Sequence, residues 1–71
     1  MTQCERVKNY IDEFGSITAL DAMRDLGVMR LASRISDLKD RGYAIASETV
    51  PVKNRYGEWT YIARYRWEGQ A

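Results

Sequence analysis

Histidine is absent from this 71-residue sequence, and cysteine and proline occur once each. A single cysteine cannot form an internal disulfide, and the absence of histidine excludes the usual zinc clusters. It also removes the Ser-His and Cys-His pairs of nucleophilic catalysis and the commonest general base. We therefore expect a protein that is not an enzyme and that uses neither a cofactor nor a metal ion.

Long apolar runs are also lacking, and a membrane-spanning helix needs about 20 apolar residues. Residues 1–6 are polar and do not have the pattern of a signal peptide. A length of 71 residues allows one domain. We expect a single domain over residues 1–71 in the cytoplasm, with no membrane partner and no small-molecule substrate.

The net charge is only +1, but the charges are unevenly distributed along the chain. Residues 1–26 contain three basic and five acidic side chains, whereas residues 27–71 contain eight basic and five acidic ones. This asymmetry indicates an anionic partner, although a solvated surface of mixed charge explains it equally well.

Apolar residues recur at helical spacing in the first half of the chain and predict three helices. The side chains expected to face the core are Cys4, Val7, Ile11 and Phe14 in the first helix, Leu20, Met23 and Leu26 in the second, and Leu31, Ile35 and Leu38 in the third. Thr2 and Thr18 are the expected N-caps, and Gly15, Gly27 and Gly42 the expected stops. Two helices joined by a tight glycine turn indicate a helix-turn-helix.

After Gly42 the helical period ends, and the sequence favours a β-hairpin with a turn at residues 54–58. Pro51 indicates an edge strand. One face of the second strand is expected to cover the helices, and it contains Trp59, Tyr61, Ala63, Tyr65 and Trp67. A stacking platform for single-stranded nucleic acid is the alternative interpretation of these aromatic residues. We expect Tyr56 and Trp59, nearest the turn, to be exposed.

These elements together predict an α+β fold of the winged helix-turn-helix type, with three helices followed by a β-hairpin wing. A short extended segment at residues 16–18 separates the first two helices. Val28 precedes Leu31 by only three positions, which is fewer than in many winged helices. This departure from their pattern predicts a tighter turn and an unusual angle for the third helix in a DNA groove.

The chain also resembles a family of small winged helix-turn-helix domains common in phage and prophage proteins. The matching segments are Gly15-Ser16-Ile17-Thr18, Leu26-Gly27-Val28, residues 30–38, Arg41-Gly42-Tyr43, Asn54-Arg55-Tyr56-Gly57 and Arg64-Tyr65. They span nearly the whole chain in a fairly specific order. The resemblance implies a DNA-binding role.

The third helix contains the candidate base-reading residues. We expect Met29, Ser33 and Ser36 on the face opposite the core, with Arg30 and Arg34 on the adjacent flank. Arg30 could donate two hydrogen bonds to a guanine, and the small Ser33 permits close approach. Arg34 could contact DNA or form an ordinary surface ion pair with Asp37.

The turn of the hairpin contains the candidate phosphate contacts, which are Lys53, Asn54 and Arg55. A solubilising loop is the alternative for these three residues. Arg64 and Arg66 could extend the phosphate-binding surface or protect a strand edge.

The predicted function is sequence-specific binding of double-stranded DNA by a small phage or prophage regulator of transcription. A protein-interaction module on a winged-helix fold and an architectural factor in DNA excision or packaging are the alternatives. Beside double-stranded DNA, the sequence leaves open a homodimer and a phage or host protein partner.

Overall fold

A computed structural model of the chain describes residues 1–69, so the last two residues of the predicted domain lie outside the described part. Three helices and three strands follow one another along the chain. They are α1 (Gln3–Phe14), β1 (Ile17–Thr18), α2 (an α-helical turn at Ala19–Asp21 continued by a π-helical turn at Ala22–Leu26), α3 (Leu31–Asp40), β2 (Ile45–Lys53) and β3 (Trp59–Trp67). The fold is therefore mixed α+β.

The three strands form an antiparallel sheet in the order β1-β3-β2. The hairpin register pairs Ile45 with Trp67 at its base and Lys53 with Trp59 next to the turn. The short β1 pairs only with Tyr65 and Arg64 of β3. Residues 59–63 of β3 thus have β2 as their only neighbouring strand, and this part of the hairpin is a two-stranded arm. We call the hairpin β2–β3 the wing.

One hydrophobic core holds the helices and the base of the wing together. Its buried residues come from every layer of the fold and are Cys4, Val7, Ile11, Ile17, Ala22, Val28, Leu31, Ile35, Leu38 and Ile45. The half-buried Tyr10, Leu26, Tyr65 and Trp67 pack against them. The predicted stripe of α3 is confirmed in full, and that of α1 is confirmed except for Phe14.

Helix ends follow the predicted capping residues. The Thr2 hydroxyl oxygen accepts a hydrogen bond from the Glu5 amide, and Thr18 and Asp21 form a reciprocal capping box at the start of α2. Gly15 and Gly27 both have left-handed backbone conformations, with φ of 88° and 69°. Only glycine adopts such angles readily, so each ends its helix and turns the chain toward the next element.

Three residues predicted for the core are exposed instead, namely Phe14, Leu20 and Met23. Phe14 is the last residue of α1 and lies against the Tyr10 ring, with ring centroids 4.5 Å apart. Met23 lies in the π-helical turn of α2, whose wider spacing does not follow the α-helical period. Leu20 lies in the α-helical turn before it, and nothing in the structure explains its exposure. The small Ala22 is buried in their place.

The predicted contact between the aromatic face of β3 and the helices is correct only at the base of the wing. Tyr65 and Trp67 pack against the core, whereas Trp59 and Tyr61 are exposed. The physical reason is length, because nine-residue strands extend well beyond a body built on three short helices. The predicted exposure of Tyr56 and Trp59 is confirmed.

Two acidic residues of the first two helices connect elements of the fold. Asp12 accepts a hydrogen bond from the Trp67 indole at 2.7 Å, which fastens β3 to α1. Asp25 accepts one from the Tyr10 hydroxyl at 2.6 Å, which joins α2 to α1.

Among residues 1–69, no helix has the length and apolar character needed to cross a membrane.

Candidate nucleic-acid interface

Helix α3 begins at Leu31, two residues after Met29, the first residue that was predicted to lie on it. Arg30 is the N-cap residue, with φ of −119° and ψ of 62°, and makes no side-chain capping bond. Met29 and Arg30 therefore precede the helix, and the expectation that they lie on it is wrong. The reason is the tight turn after Gly27, in which residues 28–30 connect α2 to α3 and are not themselves helical.

Two shallow clefts meet at the start of α3. The first, of about 410 Å³, lies between this helix and the base of the wing and is lined by Ala19, residues 29–33, Ile62, Ala63 and Tyr65. The second, of about 350 Å³, is lined by Gln3, Gly27, Met29, Arg30 and Arg34. Met29 and Arg30 border both clefts, so the fold brings Met29, Arg30, Ser33 and Arg34 into one region.

Arg30 and Arg34 differ in how their charges are compensated. Arg30 is exposed and has no ion-pair partner within residues 1–69. Arg34 is half-buried and forms an ion pair with Asp37, with 3.2 Å between Nη2 and Oδ2. Of the two interpretations of Arg34, the structure shows the surface ion pair. A ligand near α3 would therefore meet the uncompensated charge of Arg30.

The two serines of α3 have different positions. Ser33, expected on the exposed face opposite the core, is half-buried and lines the first cleft. It faces the cleft between the start of α3 and the base of the wing, together with Ala63 and Tyr65 of β3. Ser36 is exposed as predicted and borders neither cleft. Of the two serines predicted to contact DNA, Ser33 therefore lies in the first cleft and Ser36 on the outer surface of α3.

Asn54 holds the turn of the wing together. Its side-chain oxygen accepts hydrogen bonds from the amides of Tyr56 at 2.9 Å and Glu58 at 3.1 Å. Its own amide donates to the Glu58 carbonyl at 2.9 Å. Because the side-chain oxygen of Asn54 is bonded within the turn, this residue fixes the shape of the turn and so positions the neighbouring cations.

Those cations are Lys53 and Arg55, both exposed. The Lys53 Nζ lies 5.8 Å from the centroid of the Trp59 ring, a distance typical of a cation–π contact. Arg55 has no ion-pair partner in the described part of the chain. The end of the wing therefore presents two positive charges on a turn of defined shape.

Arg64 and Arg66, the other two candidate cations of the wing, lie beside a carboxylate. Arg64 Nη2 is 2.7 Å from Glu48 Oε1, and Arg66 Nε is 3.6 Å from the same oxygen. Glu48 offsets part of their charge, which makes this surface less attractive to phosphate than Arg30 or Arg55.

Sequence reasoning missed two sets of surface residues. Ala19, Ile62 and Ala63 line the first cleft, but small and aliphatic side chains carry no chemical signal of a site. The second set is Tyr61 alone, which is exposed beside Trp59, whose exposure was predicted. The alternation of the strand does not show that β1 stops short of Tyr61. In residues 1–69, no three His, Cys, Asp or Glu side chains cluster as metal ligands would.

Helices α2 and α3 form a helix-turn-helix, and the two-stranded wing follows it. Comparison with known protein families agrees with this description. A family model described as a winged helix-turn-helix domain matches residues 2–67. The chain belongs to the winged helix-turn-helix domain family. Neither a search of curated proteins nor one of solved structures found a match. In this winged helix-turn-helix domain, the clefts at Arg30 and the wing turn form the candidate interface, and membership of the family suggests DNA binding.

Proposed function

We propose that this domain binds double-stranded DNA. The start of α3 faces the major groove, and the end of the wing lies along the phosphate backbone beside it. Helix-turn-helix proteins place the N-terminal part of their second helix against base edges in this way.

The position of Arg30 is the observation that carries the proposal. Its guanidinium is exposed, uncompensated and located where two clefts meet. An arginine in this setting can form a bidentate pair with guanine or hold a phosphate. The neighbouring Ala32 and Ser33 are small, which leaves room for the edge of a base pair.

Lys53 and Arg55 supply the sequence-independent part of binding. Both stand on flexible stems at a turn, so they suit the repeated charges of the backbone better than a fixed base edge. Each phosphate they neutralise releases condensed counterions, which makes binding depend on salt concentration.

We further propose that binding is sequence-specific and that the domain acts as a small phage or prophage regulator of transcription. The first part is supported by the contrast between Arg30, which lies at the N-cap of α3 beside two clefts, and the cations on the wing turn. The second part is supported by the resemblance of the sequence segments around Gly27, Arg30 and Asn54 to such proteins.

Selection of bound sequences from a pool of random duplexes, repeated at two salt concentrations, tests the proposal. We expect a short common motif that persists at the higher salt concentration. Recovery of duplexes without a motif would limit the proposal to unspecific binding, and no recovery at low salt would contradict it.

A protein-interaction module is the second candidate, and the exposed apolar residues of α2 favour it. Leu20 and Met23 are exposed on one helix, and Met29 is exposed in the turn that follows. If the parent protein binds no duplex at low salt, a protein-binding role of this surface takes precedence.

A further inference from the structure

A line of exposed residues runs along one face of the wing. On β3 it contains Trp59 and Tyr61, which are 63% and 69% exposed. Their cross-strand partners on β2 are Lys53 and Pro51. We call these four residues the wing stripe.

Packing within the domain does not account for the wing stripe. The two tryptophans of the chain show the contrast, because Trp67 packs against the core and donates its indole N–H to Asp12. Trp59 lies on the same face of β3, but beyond the region paired with β1, and its one described ring contact is with Lys53. Large aromatic side chains exposed together commonly mark a binding surface.

The charge on this face favours a polyanionic ligand. The residues of β2 and β3 that share the face with Trp59 alternate along the two strands, and Lys53 is the only charged one among them. The ion pairs of Glu48 with Arg64 and Arg66 lie on the opposite face. A ligand on the wing stripe meets aromatic rings and a cation with no acidic side chain between them.

The wing stripe also leads to the interface already described. Ala63 and Tyr65 continue the same face of β3 toward the body of the domain, and both line the first cleft beside Arg30. Residues two apart on a strand are separated by about 7 Å. A nucleotide strand stretched by stacking on Trp59 and Tyr61 could therefore follow this face toward Arg30.

We propose that the wing stripe binds single-stranded DNA by stacking unpaired bases on Trp59 and Tyr61. Stacking on aromatic rings tolerates any base, because every base has a π face, and a nearby cation binds the phosphates. Only the route of the strand toward Arg30 depends on the proposed function, the binding of double-stranded DNA. The stacking itself depends on the wing alone.

Binding of an oligothymidylate, compared with an abasic strand of equal length and charge, separates stacking from electrostatics. Tryptophan fluorescence and the anisotropy of a labelled strand report binding at one salt concentration. We expect quenching by the oligothymidylate and much weaker binding of the abasic strand. Trp59→Ala and Tyr61→Ala should each weaken oligothymidylate binding roughly 5- to 100-fold, as expected for the loss of one stacked base.

Two further variants make the test specific. Trp59→Phe keeps an aromatic ring and should retain most of the affinity, whereas Thr60→Ala changes the opposite face of β3 and should leave it unchanged. Equal binding of both strands, or unchanged affinity of Trp59→Ala, would overturn the proposal. A parent protein that binds duplex but not oligothymidylate would overturn this inference alone, and one that binds neither would overturn the proposed function as well.

Discussion

Individual side chains connect the elements of this small domain, and the Tyr10–Asp25 pair is the clearest case. The Tyr10 hydroxyl donates to Asp25 at 2.6 Å and so joins α1 to α2. The hydrogen bond to Asp25, followed by burial, raises the pKa of Tyr10 to about 12. Arg24 first and Tyr10 second lower the pKa of the Asp25 carboxyl. The pair therefore favours a protonated tyrosine and an ionised aspartate.

This raised pKa predicts a loss of stability at alkaline pH. A tyrosine whose folded pKa exceeds its ordinary value of 10.0 stabilises the fold below that pH. The contribution is lost as the pH rises toward the folded value of about 12. The difference in unfolding free energy between the parent and Tyr10→Phe should thus narrow over this range. A difference that stays constant would contradict the role of the pair.

At the scale of single residues, the sequence could indicate which arginine is paired but not where the helix begins. Arg34 has an acid three positions on and pairs with it, whereas Arg30 has an arginine four positions on. That Arg30 is the N-cap depends on the backbone angles of the tight turn. No helical period in the sequence specifies those angles.

Among the secondary-structure elements, α3 positions the candidate interface. The buried residues of α3 fix this helix against the core. Leu38 is 1% exposed and packs with Leu31 and Ile35 in the core. The amphipathic pattern of α3 is regular, and the buried residues predicted for this helix are therefore correct. The interface at the start of α3 depends on this anchoring.

Truncation of Leu38 should strongly destabilise the domain. Leu38→Ala should lower the unfolding free energy by roughly 2–5 kcal/mol through lost burial and a residual cavity. Chemical denaturation measures the change, with the exposed Lys39→Ala on the same helix as the control. Equal midpoints for the two variants would contradict a core role for Leu38.

The turn of the wing is the second element with a testable anchor. Asn54→Ala removes the acceptor of two backbone amides, each such bond contributing about 0.5–1.5 kcal/mol. We expect faster hydrogen exchange at the amides of Tyr56 and Glu58 and a modest loss of stability. Asn54→Asp keeps an acceptor oxygen and should preserve protection. Unchanged exchange in the alanine variant would show that the turn does not depend on Asn54.

The sequence predicted some elements better than others for physical reasons. Helices α1 and α3 follow the regular α-helical period, and the hairpin alternates strictly, so these elements and most of their faces could be predicted, although the first residue of α3 could not. The π-helical turn of α2 breaks that period, so the prediction placed Met23 in the core although it is exposed. Alternation also cannot show where a strand leaves the body, and Tyr61 was therefore assigned to the core although it is exposed.

For the molecule as a whole, the distribution of charge matters more than the net charge of +1. Acidic residues of the first two helices are engaged in internal contacts with Trp67, Tyr10 and Arg24. Arg30 and Arg55 have no ion-pair partner in residues 1–69 and lie at the start of α3 and at the wing turn. In the proposed function these two cations divide duplex binding, with Arg30 contacting bases and Arg55 contacting phosphates.

Titration of Arg30→Ala and Arg55→Ala against a selected duplex and a scrambled duplex, over a range of salt concentrations, tests this claim most directly. Arg55→Ala should weaken binding to both duplexes by a similar factor and reduce the salt slope by about one unit. Arg30→Ala should cost roughly 1–3 kcal/mol on the selected duplex and much less on the scrambled one. Arg34→Ala, which removes a paired arginine, should have a smaller effect on the selected duplex than Arg30→Ala. Binding unchanged in both variants, or a parent protein that binds neither duplex at low salt, would contradict the account.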